Sequence, residues 1–184
     1  MIEKKLLKET AIKRRNELAG KEEKSQIICE KLLLSNSFKQ AKTIFVYLSC
    51  RSEVYTQKIV EECFASGKTV CVPVCKKDCQ MDAVTIEDMS NLVYNNFGIL
   101  EPIDKTKIAD KKTIDLCIAP GSVFDRSLNR IGYGKGFYDR FLQGTGIKTI
   151  ALAFDCQIEE RIPFGEYDVK MDCIITEKEV LGVL

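Results

Sequence analysis

Gly132, Gly134 and Gly136 alternate with Tyr133, Lys135 and Phe137, with Arg130 just upstream and Asp139 and Arg140 just downstream. Glycines at this spacing let a backbone approach a ligand closely and turn its N–H groups toward an anion. A helix starting near Gly136 would add its positive end, and Lys135 and Arg130 would add full charge. The segment therefore reads as a phosphate cradle, with a merely tight loop as the competing reading. Lys135 is followed by Gly136 rather than Ser or Thr, so the loop is not a Walker A motif. The spacing of its last two glycines also departs from the dinucleotide fingerprint. Asp139 has two readings as well. It is a stabilising acid in a first helical turn, or a ligand for Mg²⁺, which takes carboxylate, water and phosphate oxygens. Tyr138, Phe141 and Leu142 fall at core spacing, whereas Tyr133 and Phe137, flanked by glycines, could stack on a flat ligand.

Composition narrows the chemistry further. The 184 residues include no His and no Trp, and 28 Lys and Arg balance 27 Asp and Glu. Without His there is no Ser-His-Asp or Cys-His nucleophile, no imidazole base and no His-ligated zinc. A net charge of +1 argues against nucleic acid as a partner. The charge is uneven, since the first 40 residues hold ten Lys and Arg but six Glu. Such a segment is usually a solvated face and also suits a phosphate-rich ligand. The nine Cys are odd in number and form no CxxC pair, so a reducing compartment is expected rather than disulfides or a zinc ribbon. Cys71 and Cys75 are expected to point from one strand into a core. The charged N-terminus and short apolar runs predict a soluble, unexported, cytoplasmic protein with no membrane partner.

The elements that must position the loop alternate along the chain. Helices are predicted over 2–18 and 21–34; Ile2, Leu6, Leu7, Ala11 and Leu18 trace the apolar stripe of the first. Strand-like Thr43–Ser49 is followed by a helix over Tyr55–Ser66 and strands over Thr69–Val74 and Met81–Ile86. Asn95–Pro102 reads as loop, Ile114–Ala119 as a buried strand and Gly136–Leu142 as a helix. Lys148–Phe154 and Asp172–Thr176 complete the strands. This alternation predicts an α/β domain spanning 1–184 with a mostly parallel sheet covered on both faces. Ligands in such sheets sit beyond the carboxyl ends of the strands, which directs attention to the stretch after Ala119.

That stretch, PGSVFD–RSLNRIGYGKGFYDRFL, closely resembles the signature of the 5-formyltetrahydrofolate cyclo-ligase family. Lys4-x-x-Leu7-Lys8, YLSCRSEVYT with Glu53, NFGILEP at 96–102 and IPFGEYDVKMDCIIT at 162–176 agree in order and approximate spacing, so the resemblance covers 4–176. It implies ATP- and Mg²⁺-dependent closure of 5-formyltetrahydrofolate to 5,10-methenyltetrahydrofolate, with release of ADP and phosphate, by a three-layer α/β/α sandwich like that of the sugar-phosphate isomerases and CoA transferases. It also implies roles. Lys4, Lys8, Arg130, Ile131, Gly132, Tyr133, Gly134, Lys135, Gly136, Phe137 and Tyr138 would contact ATP, with Lys135 and Arg130 catalytic. Leu48, Glu53 and the loop Tyr133, Gly134, Lys135, Gly136 and Phe137 would contact the folate, and Asp139 and Asp168 would bind magnesium. Two positions depart from the family pattern: Lys8 stands where Arg is common, and Phe137 where Tyr is common. The partners expected are these two small molecules, and the protein is expected to act as a monomer.

Read without the resemblance, Lys4 and Lys8 are solvated lysines on one helical face, Glu53 is an acid near the start of the Tyr55 helix, and Asp168 is a turn residue. A folate- or nucleotide-binding regulator and a sugar-phosphate isomerase are the rival functions. The missing His is compatible with phosphoryl transfer, because phosphoryl transfer rests on positioning and charge rather than on a group titrating near neutrality.

Overall fold

A computed structural model describes residues 2–95 and 98–184. The first two residues of the NFGILEP segment thus lie outside the described residues. Helices α1 (Ile2–Glu17), α2 (Lys21–Leu34) and α3 (Asn36–Gln40) precede strand β1 (Thr43–Val46), helix α4 (Gln57–Ala65) and strands β2 (Thr69–Cys75) and β3 (Met81–Ile86). A hairpin of β4 (Leu92–Tyr94) and β5 (Leu100–Pro102) follows, then β6 (Leu116–Ala119). The remaining elements are β7 (Val123–Asp125), β8 (Arg130–Ile131), α5 (Phe137–Leu142), β9 (Lys148–Leu152), β10 (Ile158–Glu159), β11 (Cys173–Ile175) and β12 (Val180–Gly182).

The main sheet runs β12-β11-β9-β6-β1-β2-β3. Its five inner strands are parallel, while β3 and β12 close the two edges antiparallel. Alternating side chains feed two separate apolar layers, as strand geometry requires. Ile44 and Val46 of β1, Val70 and Val72 of β2 and Ile118 of β6 face Ile28, Leu32, Ile59 and Val60 of α2 and α4. Phe45, Cys71, Cys117 and Ala151 face the other way, onto Tyr138, Phe141 and Leu142 of α5. Both faces are covered, and this is why the inner strands are apolar at nearly every position.

The differences from the sequence reading have physical causes. The strand predicted to reach Ser49 ends at Val46, because Tyr47 O and Ser49 N leave the ladder for the Thr56 hydroxyl, at 2.7 and 3.1 Å. That contact also delays α4 to Gln57. The expected loop at 95–102 contains β5, paired antiparallel with β4. Cys75 shares a face with Cys71, but β2 runs out of the core at its end, so Cys71 is buried and Cys75 exposed. Leu6 is 63% exposed, so α1 buries only the inner face of the stripe assigned to it. That face is Ala11, flanked by Leu7, against Val123, Ile131 and Ile162. No helix among the described residues is long and apolar enough to cross a membrane.

The buried thiols predict an alkaline weakness. All nine cysteines are free. Burial pushes Cys29 and Cys173 up to about 11, and Cys63 and Cys117 up to about 12, from an ordinary 9.0. The unfolded chain releases these protons first, so their contribution to stability is intact below pH 9 and declines as pH rises toward 12. The enclosed Cys117 alone contributes a slope of about 1.4 kcal/mol per pH unit in that window. Thermal unfolding followed between pH 8 and 11 should show the midpoint falling above 9, and less steeply in Cys117→Ala. A level midpoint would contradict this account.

Candidate active site

Strand order reverses between β1 and β6: the chain proceeds from β1 outward to β2 on one side, and from β6 to β9 and β11 on the other. Loops leaving neighbouring strands in opposite senses open a crevice at their carboxyl ends. A cavity of about 470 Å³ lies there, lined by Tyr47 and Leu48 after β1, Pro73 and Cys75 of β2, and Pro120 after β6.

The glycine segment reaches this cavity by a route the sequence did not reveal. The stretch from Pro120 to Gly136 is not one loop, for β7 and β8 form a hairpin that pairs with β10 in a second, three-stranded sheet. Asp125, fully buried, organises the turn by accepting from Ser127 N and Asn129 N at 2.9 Å, Asn129 Nδ2 at 2.8 Å and Ile162 N at 3.0 Å. The glycines answer specific demands. Gly134 has φ 102°, a conformation that side chains with a Cβ rarely adopt. A Cβ on Gly132 would lie 2.8 Å from Arg130 Nη1, inside van der Waals contact. Helix α5, which begins after Gly136, has six residues, so the loop's own N–H groups and side chains outweigh any helical dipole.

Glu53 is 6% exposed and does not face the start of α4. Its Oε2 accepts from Cys50 N at 2.9 Å, and its Oε1 accepts from the Tyr133 hydroxyl. Arg15 of α1, 4% exposed, donates to that same hydroxyl at 3.0 Å and to Gly121 O at 3.3 Å, while its Nε reaches Ser52 Oγ at 3.1 Å. The result is a relay of Arg15, Tyr133 and Glu53 joining α1, the glycine loop and the loop after β1. Burial, and next the Glu53 carboxylate, push the Tyr133 phenol well above its ordinary range, so it stays a donor. Cys50 on the same wall is raised to about 11, chiefly by burial, and remains a neutral thiol.

Of the residues predicted from sequence, Leu48, Glu53, Arg130, Gly132, Tyr133, Lys135, Gly136, Phe137, Tyr138 and Asp139 line the cavity. Lys4, Lys8, Ile131, Gly134 and Asp168 are not on its wall. Ile131 packs on Ala11 of α1. Lys8 Nζ sits against Gly134, 3.5 Å from where a Cβ would be. Lys4 donates to Asp168 Oδ2, which also accepts from Gly165 N at 2.7 Å. Arg130 differs most from its sequence-based role as a phosphate contact. Its side chain is 2% exposed, and its guanidinium donates to Pro120 O at 3.2 Å and Asp139 Oδ1 at 2.9 Å. In this structure its charge holds Asp139 in place, whereas Lys135 is exposed on the loop.

Asp139 Oδ1 also accepts from Val169 N at 3.2 Å, which brings the segment carrying Asp168 next to it. Among the described residues no group of three or more His, Cys, Asp or Glu could hold a metal unaided. Asp139 on the cavity wall and Asp168, next in sequence to Val169, nevertheless offer the carboxylate oxygens that Mg²⁺ takes, the ion completing its shell with waters and phosphate oxygens. The residues therefore fit that ion.

The sequence reading named Lys4 and Lys8 of α1 but missed Ile12, Arg15 and Asn16. Ile12, Arg15 and Asn16 line the cavity, and Lys4 and Lys8 continue the same face at helical spacing. The available signal was the i, i+4 recurrence of basic residues. Ile99 and Leu100, from the β4–β5 hairpin, supply part of an apolar wall with Met81.

A sequence profile described as the 5-formyltetrahydrofolate cyclo-ligase family matches residues 2–177. A probable 5-formyltetrahydrofolate cyclo-ligase of Caenorhabditis elegans is 33% identical over 171 residues, covering 85% of this chain and 83% of that protein. The 5-formyltetrahydrofolate cyclo-ligase of Mus musculus is 32% identical over 166 residues, 83% of this chain and 82% of its own. Among solved structures, the NMR structure of Aquifex aeolicus 5,10-methenyltetrahydrofolate synthetase superposes with a TM-score of 0.84 at 26% identity, covering 96% of this chain and 91% of that one. With the loop, the carboxylates and the cavity in place, the profile and these relatives establish that the chain belongs to the 5-formyltetrahydrofolate cyclo-ligase family.

Proposed function

We propose that this chain is a ligase that closes 5-formyltetrahydrofolate to 5,10-methenyltetrahydrofolate at the expense of ATP. The observation that carries the reading is the meeting of the glycine loop with buried Glu53 in one cavity at the strand switch point. An N-formyl group is amide-like and unreactive. Its oxygen attacks the γ-phosphorus, ADP leaves, and the carbon becomes electrophilic. The substrate's own N10 amine then attacks that carbon, a proton is lost from nitrogen and phosphate departs. The nucleophile belongs to the substrate, so the protein's work is orientation and charge.

Lys135 supports the negative oxygens of the transferring group, and Lys4 and Lys8 extend that field along α1. Asp139, held by Arg130, and Asp168 would hold Mg²⁺, which supplies charge neutralisation and alignment of the phosphates. Glu53 accepts from the N–H edge of the pterin, and Leu48 and Phe137 border its ring. The single seven-stranded sheet with both faces covered supports one domain spanning 1–184, which acts as a monomer. The free thiols support a reducing, cytoplasmic setting, and the near-zero net charge supports small molecules rather than nucleic acid as partners.

Purified protein supplied with 5-formyltetrahydrofolate, ATP and Mg²⁺ should show the absorbance gain of the methenyl product with one ADP released per turnover. Omitting either ATP or magnesium should stop it. Tight folate binding without ADP release would instead identify a binding regulator.

A further inference from the structure

Arg15 of α1 is a buried cation whose hydrogen bonds go to neutral groups. It is 4% exposed, and its guanidinium reaches Ser52 Oγ, Gly121 O and the Tyr133 hydroxyl rather than a carboxylate. Burying a charge in this way works against stability. Two of its three partners are also satisfied elsewhere. Gly121 O accepts from Gln157 Nε2 at 3.0 Å, and Ser52 Oγ donates to Asn16 Oδ1 at 2.6 Å. The contact that sets Arg15 apart is the one to Tyr133.

Chemistry fixes the direction of that contact. A guanidinium only donates and an ionised carboxylate only accepts. The Tyr133 hydroxyl accepts from Arg15 Nη1 at 3.0 Å, which leaves its single proton for Glu53 Oε1. Glu53 is fixed in turn by Cys50 N at 2.9 Å. The guanidinium also lies 5.8 Å from the centroid of the Tyr133 ring. Ring and hydroxyl are therefore both oriented by groups outside the glycine loop.

Tyr133 stands between Gly132 and Gly134, and a Cβ on Gly134 would meet only Lys8 Nζ within 4 Å. The tyrosine hydroxyl thus clamps the near side of Lys135. On the far side Arg140 donates to Lys135 O, and its Nε donates to Cys79 O at 3.0 Å. Only the Tyr133 clamp runs to Glu53.

Resting on the cyclo-ligase reading, we propose that Arg15 is a positioning residue for phosphoryl transfer. Through the Tyr133 hydroxyl it pins the glycine loop against Glu53 and so sets where the Lys135 ammonium meets the transferring group. Because Glu53 accepts from the pterin in that reading, the pin also registers the cation against the folate.

Arg15→Met removes the donor and keeps an apolar stem, and Tyr133→Phe removes only the hydroxyl. Each should lower kcat between about tenfold and a hundredfold while the KM for ATP changes less than about threefold. The double variant should fall little further than either single one, because both break the same pin. Arg15→Lys, which keeps a charged donor, should recover part of the rate. Brief trypsin treatment should cut both single variants faster than wild type after Lys135, with other sites unchanged. Wild-type kcat in Tyr133→Phe would overturn the proposal, even if Arg15→Met failed to fold. So would losses that add in the double variant, or cleavage that rises at every site together. Wild-type protein that makes no product would remove the ligase reading alone, and cleavage after Lys135 would still decide the pin.

Discussion

Lys135→Ala should lower kcat/KM by about a thousandfold or more, on the order of 4 kcal/mol of transition-state stabilisation, and leave the thermal midpoint within about a degree. The asymmetry follows from where the lysine stands. It is exposed at the tip of a glycine loop, takes no part in either core layer, and lines the cavity. Arg130, the other cation expected at the phosphate, is buried and engaged by Pro120 O and Asp139, so it is not free to replace the ammonium. Lys135→Arg should retain part of the rate, since the charge survives in a bulkier, planar form. Steady-state kinetics with both substrates, run beside thermal unfolding, checks the claim. Near wild-type turnover in the alanine variant would remove Lys135 from the chemistry.

The largest structural effect should come from a residue with no chemical role. Asp125→Ala should destabilise the protein by about 4 kcal/mol, on the order of 10 °C in midpoint for a chain of this size. Its carboxylate accepts from four N–H groups across the β7–β8 turn and the segment entering Ile162. Removing it orphans several of these donors inside the structure, which is the costly side of hydrogen-bond energetics. Asp125→Asn keeps one acceptor oxygen and should recover roughly half of the loss. Because the turn presents the glycine loop, residual activity in the alanine variant should fall with temperature well before global unfolding. An unchanged midpoint would mean that water replaces the carboxylate.

Much of this protein was legible in its sequence because the information is local. Continuous apolar runs mark inner strands wherever both faces are buried, as in Ile44–Val46 and Leu116–Ala119. Glycines that must adopt positive φ leave an unmistakable spacing in the loop. The absence of His constrained the chemistry before any fold was known. Lys4 and Lys8 were legible on one face of α1 but Arg15 was not singled out, because a helical stripe of Lys and Arg looks the same whether it meets water or a ligand. The hairpin inside 120–136 was hidden for a different reason: its strands are two and three residues long, below any periodic signal.

What only tertiary structure decided is partnership. Sequence placed Glu53, Tyr133 and Arg15 far apart, with Glu53 beside a helix start. The fold brings them together by carrying the β1, β6 and α1 segments to one crevice. Arg130 and Lys135 are both cations in one loop by sequence, yet burial separates them into a holder of Asp139 and an exposed charge. Side-chain chemistry is written in the residue type, but whether a charge is spent inside the protein or left for a ligand depends on neighbours distant in the chain. Those neighbours are assigned only when the sheet order, and with it the switch point, is set.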